Sequence, residues 1–167
     1  MAEKQDNEAS AATTCTPEGA SVMKAWKSRY GELENKNDLM ESFWSLYDPD
    51  CTSIWTMSYD EADSNENLEE TIGYVKNLLA QPGMEGVRGD CFCLVHTLES
   101  LEIEGIWFFN GPDPEVLFGA NPETSWYTFK QMGPAATDGV KQAVTEMMAP
   151  ADSQLNGKAI KDTQVFC

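Results

Sequence analysis

Basic side chains are scarce: 11 Lys and Arg stand against 28 Asp and Glu, leaving a formal net charge of −17. Nucleic-acid phosphates are held mainly by Lys and Arg that displace counterions, and a field of the wrong sign opposes their approach. No Lys/Arg run supplies a local exception, so direct nucleic acid binding is not expected. A long apolar run is missing too, and a bilayer-spanning helix needs roughly 20 consecutive apolar residues. The N-terminus, Met1-Ala2-Glu3-Lys4-Gln5-Asp6-Asn7, lacks the apolar segment of a secretory signal and the Arg-rich character of a transit peptide. No Gly follows Met1, and Cys167 stands last without the three residues that follow a prenylated cysteine. The expected location is cytoplasmic, with no membrane partner.

Histidine occurs once, at His96, so every His-dependent nucleophilic scheme has to run through that residue. No Gly-x-Ser-x-Gly elbow accompanies it. The chain therefore reads as a non-enzyme without catalytic residues or cofactor, and His96 as a satisfied strand histidine. Gly83, Gly86 and Gly89 recur at threes, yet no Lys-Ser or Lys-Thr follows and no dinucleotide fingerprint opens a helix there. That stretch, 83–89, is expected to be a flexible connection.

Five cysteines, Cys15, Cys51, Cys91, Cys93 and Cys167, are an odd number without framework spacing, and a chain of this size needs no staples. All five are expected as free thiols, Cys91 and Cys93 acting as small hydrophobes in an apolar strand. His96 lies close to that pair, but strand alternation sends it to the other face, and a zinc site needs a fourth ligand. Asp48-Pro49-Asp50 invites a calcium reading. Counted as an EF-hand loop, however, its sixth position is Ser53 where Gly is needed, and its twelfth is Tyr59 where a bidentate Glu is required. No metal is expected.

What the chain does have is apolar mass: 167 residues, 41% hydrophobic, with five Trp, seven Phe and five Tyr, enough for one buried core. Residues 1–20 carry no aromatic and are rich in Ala, Thr, Glu, Asp and Ser, the composition of a disordered acidic tail; 21–167 is expected to be the domain. Val22, Trp26 and Tyr30 recur every four residues and predict a short helix. Leu39, Met40, Phe43, Trp44 and Tyr47 share a second helical face, ended by Pro49. Ser53 to Tyr59 predicts a strand. A helix capped at Ser64 follows, with Leu68, Ile72, Val75, Leu78 and Leu79 as its buried stripe. Two strands, Cys91 to Leu98 and Ile103 to Asn110, are apolar on both faces and predict a central hairpin. Val116 to Phe118 and Ser125 to Gln131 read as further strands, Thr137 to Met148 as a helix, and 155–166 as an extended segment docked through Ile160, Val165 and Phe166. The order predicts an α+β fold with a mainly antiparallel sheet.

Strand aromatics alternate faces, so some of Trp55, Tyr59, Trp107, Trp126 and Tyr127 are expected to emerge where Trp and Tyr favour protein contacts. Three stretches also go together. Phe43-Trp44 leads through an acidic turn to Ser53-Ile54-Trp55; Ile103, Gly105, Trp107 and Phe109 follow at spacings of two; Gly157-Lys158-Ala159 and Val165-Phe166 close the chain, and Lys27-Ser28-Arg29-Tyr30 opens it. From about Trp26 to Phe166 this pattern resembles the C-terminal domain of the elongation factor 1 gamma family. Only about 20 residues precede the domain, where gamma subunits usually carry a glutathione-transferase-like domain, which implies a stand-alone relative. Asn110 stands where the family commonly has a basic residue, and Thr163-Gln164 where it has Gly-Lys, which implies weakened anion contacts at those positions.

The resemblance implies a non-catalytic, translation-elongation-associated protein-interaction domain, with elongation factor 1 complex subunits as expected protein partners. The candidate partner-binding surface is Trp55, Tyr59, Trp107, Asn110, Trp126 and Lys158. Two alternatives stand beside it. One is a small-ligand binding module or unrecognised enzyme, whose mark would be a closed pocket floored by His96 or a buried carboxylate. The other is a divergent regulatory protein outside translation.

Overall fold

A computed structural model describes residues 22–167; the expectation of a disordered tail over 1–20 and the reading of Cys15 lie outside the described residues. Among them are six strands: β1 (Thr52–Tyr59), β2 (Cys91–Leu98), β3 (Ile103–Asn110), β4 (Tyr127–Met132), β5 (Gln154–Leu155) and β6 (Lys158–Phe166). They pair antiparallel throughout in the order β4-β1-β3-β2-β6-β5. The helices are α1 (22–32), α2 (Lys36–Leu46), α3 (Leu68–Leu79), α4 (Met84–Val87), α5 (Glu115–Ala120) and α6 (Asp138–Met148).

The β2–β3 hairpin lies where its double-sided apolar pattern put it, at the centre of the sheet. Period-two alternation divides its side chains between two cores. Ile54, Phe92, Leu94, Ile106 and Phe108 meet Trp26 of α1, Phe43 of α2 and Val144 of α6 on one face. Met57, Cys93, Val95, Trp107 and Phe109 meet Val75 and Leu78 of α3, Met84 and Val87 of α4 and Leu117 of α5 on the other. The α+β fold is thus a sheet between two helical layers. Phe43 anchors the first core, with its ring 5.0 Å from Trp26 and 4.9 Å from Phe108, both edge-on.

Five expectations are corrected. The cap of α3 is Asn67, whose side chain accepts from Glu70 N at 2.9 Å; Ser64 closes a preceding 3-10 turn, donating to Glu61 O. Residues 83–89 are no flexible connection. Met84 and Val87 are buried on α4, and Gly83 packs so closely that a Cβ there would stand 1.9 Å from Ala120 O. Val116 to Phe118 lie in α5, where the N–H groups of Leu117 and Phe118 both reach Pro114 O. A three-residue apolar run has no measurable period, and one helical turn buries Leu117 while exposing its neighbours. The chain end is a full strand: β6 pairs along β2, with Phe166 buried but Val165 exposed. Finally, Cys51 is disulfide-bonded, whereas Cys91, Cys93 and Cys167 are free.

Candidate functional site

Strand β4 forms one edge of the sheet, and the segment leading into it decides what that edge displays. Asn121, fully buried, caps the 3-10 turn Pro122–Trp126 by accepting from Glu123 N at 3.0 Å. Its Nδ2 donates to Leu78 O at the end of α3, 2.8 Å away, and Thr124 Oγ1 donates to Asn121 O at 2.7 Å. A short polar segment is thereby pinned to a helix end whose carbonyls need donors. The pinned turn holds Trp126 outward, 51% exposed, and sends Tyr127 inward.

Two adjoining open grooves result. The larger, about 600 Å³, is lined by Trp55, Phe118, Pro122, Phe129 and Tyr127, with Asp113 and Glu115 among its acidic groups. Phe118 of α5 meets Phe129 of β4 edge-on at 5.1 Å. The smaller, about 300 Å³, is lined by Tyr59, Tyr74, Asn77, Glu123, Trp126 and Tyr127. There Tyr59 stacks on Tyr74 at 5.8 Å and lies 5.2 Å from Tyr127. Asn77 Nδ2 donates to Glu123 Oε1 at 2.7 Å, joining α3 to the turn. Burial, followed by Tyr74, Glu61 and Glu123, raises the Tyr59 phenol above its ordinary pKa. Burial, Tyr59 and Glu123 do the same to Tyr127. The carboxylates among these causes, Glu123 beside both phenols and Glu61 beside Tyr59, make the local field negative.

Of the residues singled out from the sequence, the structure brings together Trp55, Tyr59, Trp126 and Tyr127. Trp107 is excluded from any surface: it is 0% exposed, beneath the grooves, with its indole N–H directed at Met57 Sδ. Asn110 pairs with Thr52 at the opposite end of β1 from Tyr59, and its Nδ2 donates to Gly89 O. Lys158 lies across the sheet on β6 and forms an ion pair with Glu102. Tyr74 and Phe118 line the grooves without being among the surface residues expected from the sequence. Tyr74 sits off the Thr71, Val75 and Leu78 stripe of α3, and an aromatic on the polar side of an amphipathic helix is a usable signal. Phe118 was hidden by the strand reading of its segment.

His96 belongs to neither groove. It is buried on the opposite face, with Nε2–H donating to Met147 O at 2.6 Å and Nδ1 accepting from Thr163 Oγ1 at 2.8 Å. Burial lowers its pKa, against the raising effect of the Met147 carbonyl. Cys91 and Cys93 face the other core, and burial pushes their thiols up, Cys91 to about 12. Among the described residues no cluster of His, Cys, Asp or Glu is arranged to hold a metal ion, and no helix is long and apolar enough to cross a membrane.

The family model for the conserved domain of elongation factor 1 gamma matches residues 7–113. The chain belongs to the elongation factor 1 gamma family. Similar relatives include probable elongation factor 1-gamma 2 of Arabidopsis thaliana, 23% identical over 90% of this chain and 37% of the relative. Elongation factor 1-gamma 1 of Oryza sativa subsp. japonica and elongation factor 1-gamma of Prunus avium are each 22% identical over 90% of this chain and 36% of the relative. The chain thus spans a little over a third of the length of these curated relatives. Within this gamma-family chain, Trp55, Tyr59, Tyr74 and Asn77 fall inside the segment matched by the family model, whereas Phe118, Glu123, Trp126 and Tyr127 lie beyond it.

Proposed function

We propose that the chain is a non-catalytic protein-interaction domain of the translation elongation apparatus, working in the cytoplasm and engaging protein partners that include elongation factor 1 complex subunits. Its family and the names of its relatives support the link to elongation. The observation that carries the interaction role is the surface beside the β4 edge. Tyr74, Val116, Phe118 and Trp126 are four of the five exposed large hydrophobics among the described residues, and they stand on the three segments that frame or adjoin the two grooves. Grouped exposed aromatics mark protein contact sites.

A small-ligand or enzymatic reading has less in its favour. The grooves are open, and the one histidine lies on the opposite face with both ring nitrogens engaged. The test is affinity purification of the full chain from cells that make it, alongside a Trp126→Ala, Phe118→Ala double variant. Elongation factor subunits are expected with the parent chain and are expected to be depleted from the variant. Recovery of none with the parent chain would overturn the proposal.

A further inference from the structure

The smaller groove has a composition that an apolar docking surface does not require. Three tyrosines and a tryptophan surround it, and a carboxylate closes one wall. The Tyr59 and Tyr74 rings stack at an interplanar angle of 29°, while Tyr127 is tilted 54° from Tyr59, so ring faces and edges meet the space from several directions. Glu123 Oε1 is held by Asn77, which fixes the carboxylate. No Lys or Arg of the described residues pairs with Glu123. An aromatic ring presents its negative face to a cation, and several rings around one site, joined by an anion, select positive charge over a neutral apolar group.

We propose that this groove is a cage for the cationic side chain of a basic peptide segment, with arginine as the best-matched occupant. The proposal rests on the interaction-domain reading and names the partner chemistry of that surface. A guanidinium is flat and weakly hydrated, stacks on aromatic faces, and can donate at its edge to Glu123 in the same pose. The larger groove continues from the shared Tyr127 toward Trp55 and Phe118, giving the flanking peptide a path beside Asp113 and Glu115. Burial is the main cause of the raised Tyr59 and Tyr127 phenols, but the Glu61 and Glu123 carboxylates that add to it act on a cation in the favourable sense, and the net charge of −17 draws basic segments toward the molecule as a whole.

That global attraction is what the test must separate from a cage. The full chain is titrated, with NMR detection, by a short capped peptide carrying one central arginine between serines, and by the same peptide with citrulline, which keeps the shape and removes the charge. The arginine peptide is expected to shift the Trp126 indole and the Tyr74 ring resonances; citrulline is expected to leave them in place. Trp126→Ala and Glu123→Gln are each expected to weaken binding roughly tenfold. Glu41→Gln, an exposed carboxylate on α2 across the sheet, is expected to leave it unchanged. Binding of the citrulline peptide as tight as that of arginine, shifts confined to other residues, or an equal loss from Glu41→Gln would each overturn the cage. Trp126 is largely exposed, so its truncation leaves the fold intact, and the peptide comparison needs no variant. If the cage fails while elongation-factor capture still depends on Trp126 and Phe118, the interaction surface stands and only its charge chemistry is wrong.

Discussion

Asn121 Nδ2 donates to Leu78 O over 2.8 Å, and this buried bond, with the Asn77 to Glu123 bond outside it, holds the turn that carries Trp126 against the end of α3. Asn121→Ala removes that donor and the cap accepted from Glu123 N, in a site without solvent. A buried polar group left unpaired costs about 1–3 kcal/mol, so a total loss of about 2–4 kcal/mol is expected. Asn121→Asp should do no better, since it sets a carboxylate oxygen against the Leu78 carbonyl. Urea denaturation midpoints at fixed m-value check both.

Two of the tryptophans expected on the partner-binding surface, Trp107 and Trp126, should behave oppositely. Trp107→Ala opens a cavity in a filled core and is expected to cost about 3–5 kcal/mol. Trp126→Ala removes an outward-facing ring and should change stability by no more than about 0.5–1 kcal/mol. Equal losses for both would contradict the burial assigned to them.

Gly83→Ala is expected to destabilise by about 1–3 kcal/mol through overpacking, because the new methyl would meet the Ala120 carbonyl. Since α5 carries Phe118, the same change should disturb the larger groove. A silent Gly83→Ala, read by thermal melting and by the Phe118 resonances, would restore the flexible connection expected from glycine spacing.

His96 gives the fold a pH dependence with a definite sign. Its pKa is lowered in the folded chain, chiefly by burial, so the unfolded chain binds the proton more readily. Stability from this group is present above the unfolded value of about 6.5, and is lost progressively as pH falls below it. Glu104, its cross-strand partner on β3, acts in the opposite sense. Burial first, and Glu102 second, raise its pKa, so its contribution is complete below its unfolded value and fades as pH rises through the folded one. Comparing parent and His96→Gln midpoints across mildly acid pH isolates the histidine: the variant should show the shallower loss on acidification.

The sequence made the sheet's centre readable because β2 and β3 are apolar on alternate and intervening positions, a pattern that only strands covered on both faces require. Asn67 and Ser64 were harder to separate. Both are good caps, and the choice was settled by the 3-10 turn that Ser64 closes and the extended backbone at Asn67. Helix α5 escaped because its one turn is held by Pro114 O and by tertiary packing of Leu117, neither of which leaves a period in the sequence. For the surface, alternation identified Trp55 and Tyr59 as strand aromatics but could not tell which face the helices α3 to α5 would cover. Trp107 therefore sank into the core while Trp55, its direct partner across the β1–β3 ladder, stayed at the rim nearer the β4 edge. The Asn77 to Glu123 bond that finishes the smaller groove links residues 46 apart in the chain, and no local pattern announces it.

The most direct test places a photoactivatable benzoyl-phenylalanine at Ser125, an exposed residue lining the larger groove, and separately at Gln142 on α6, across the sheet. Irradiation of native extract is expected to join elongation factor 1 complex subunits to the chain from position 125 and not from position 142. Products with those subunits from 142 alone, or from neither position, would contradict the account.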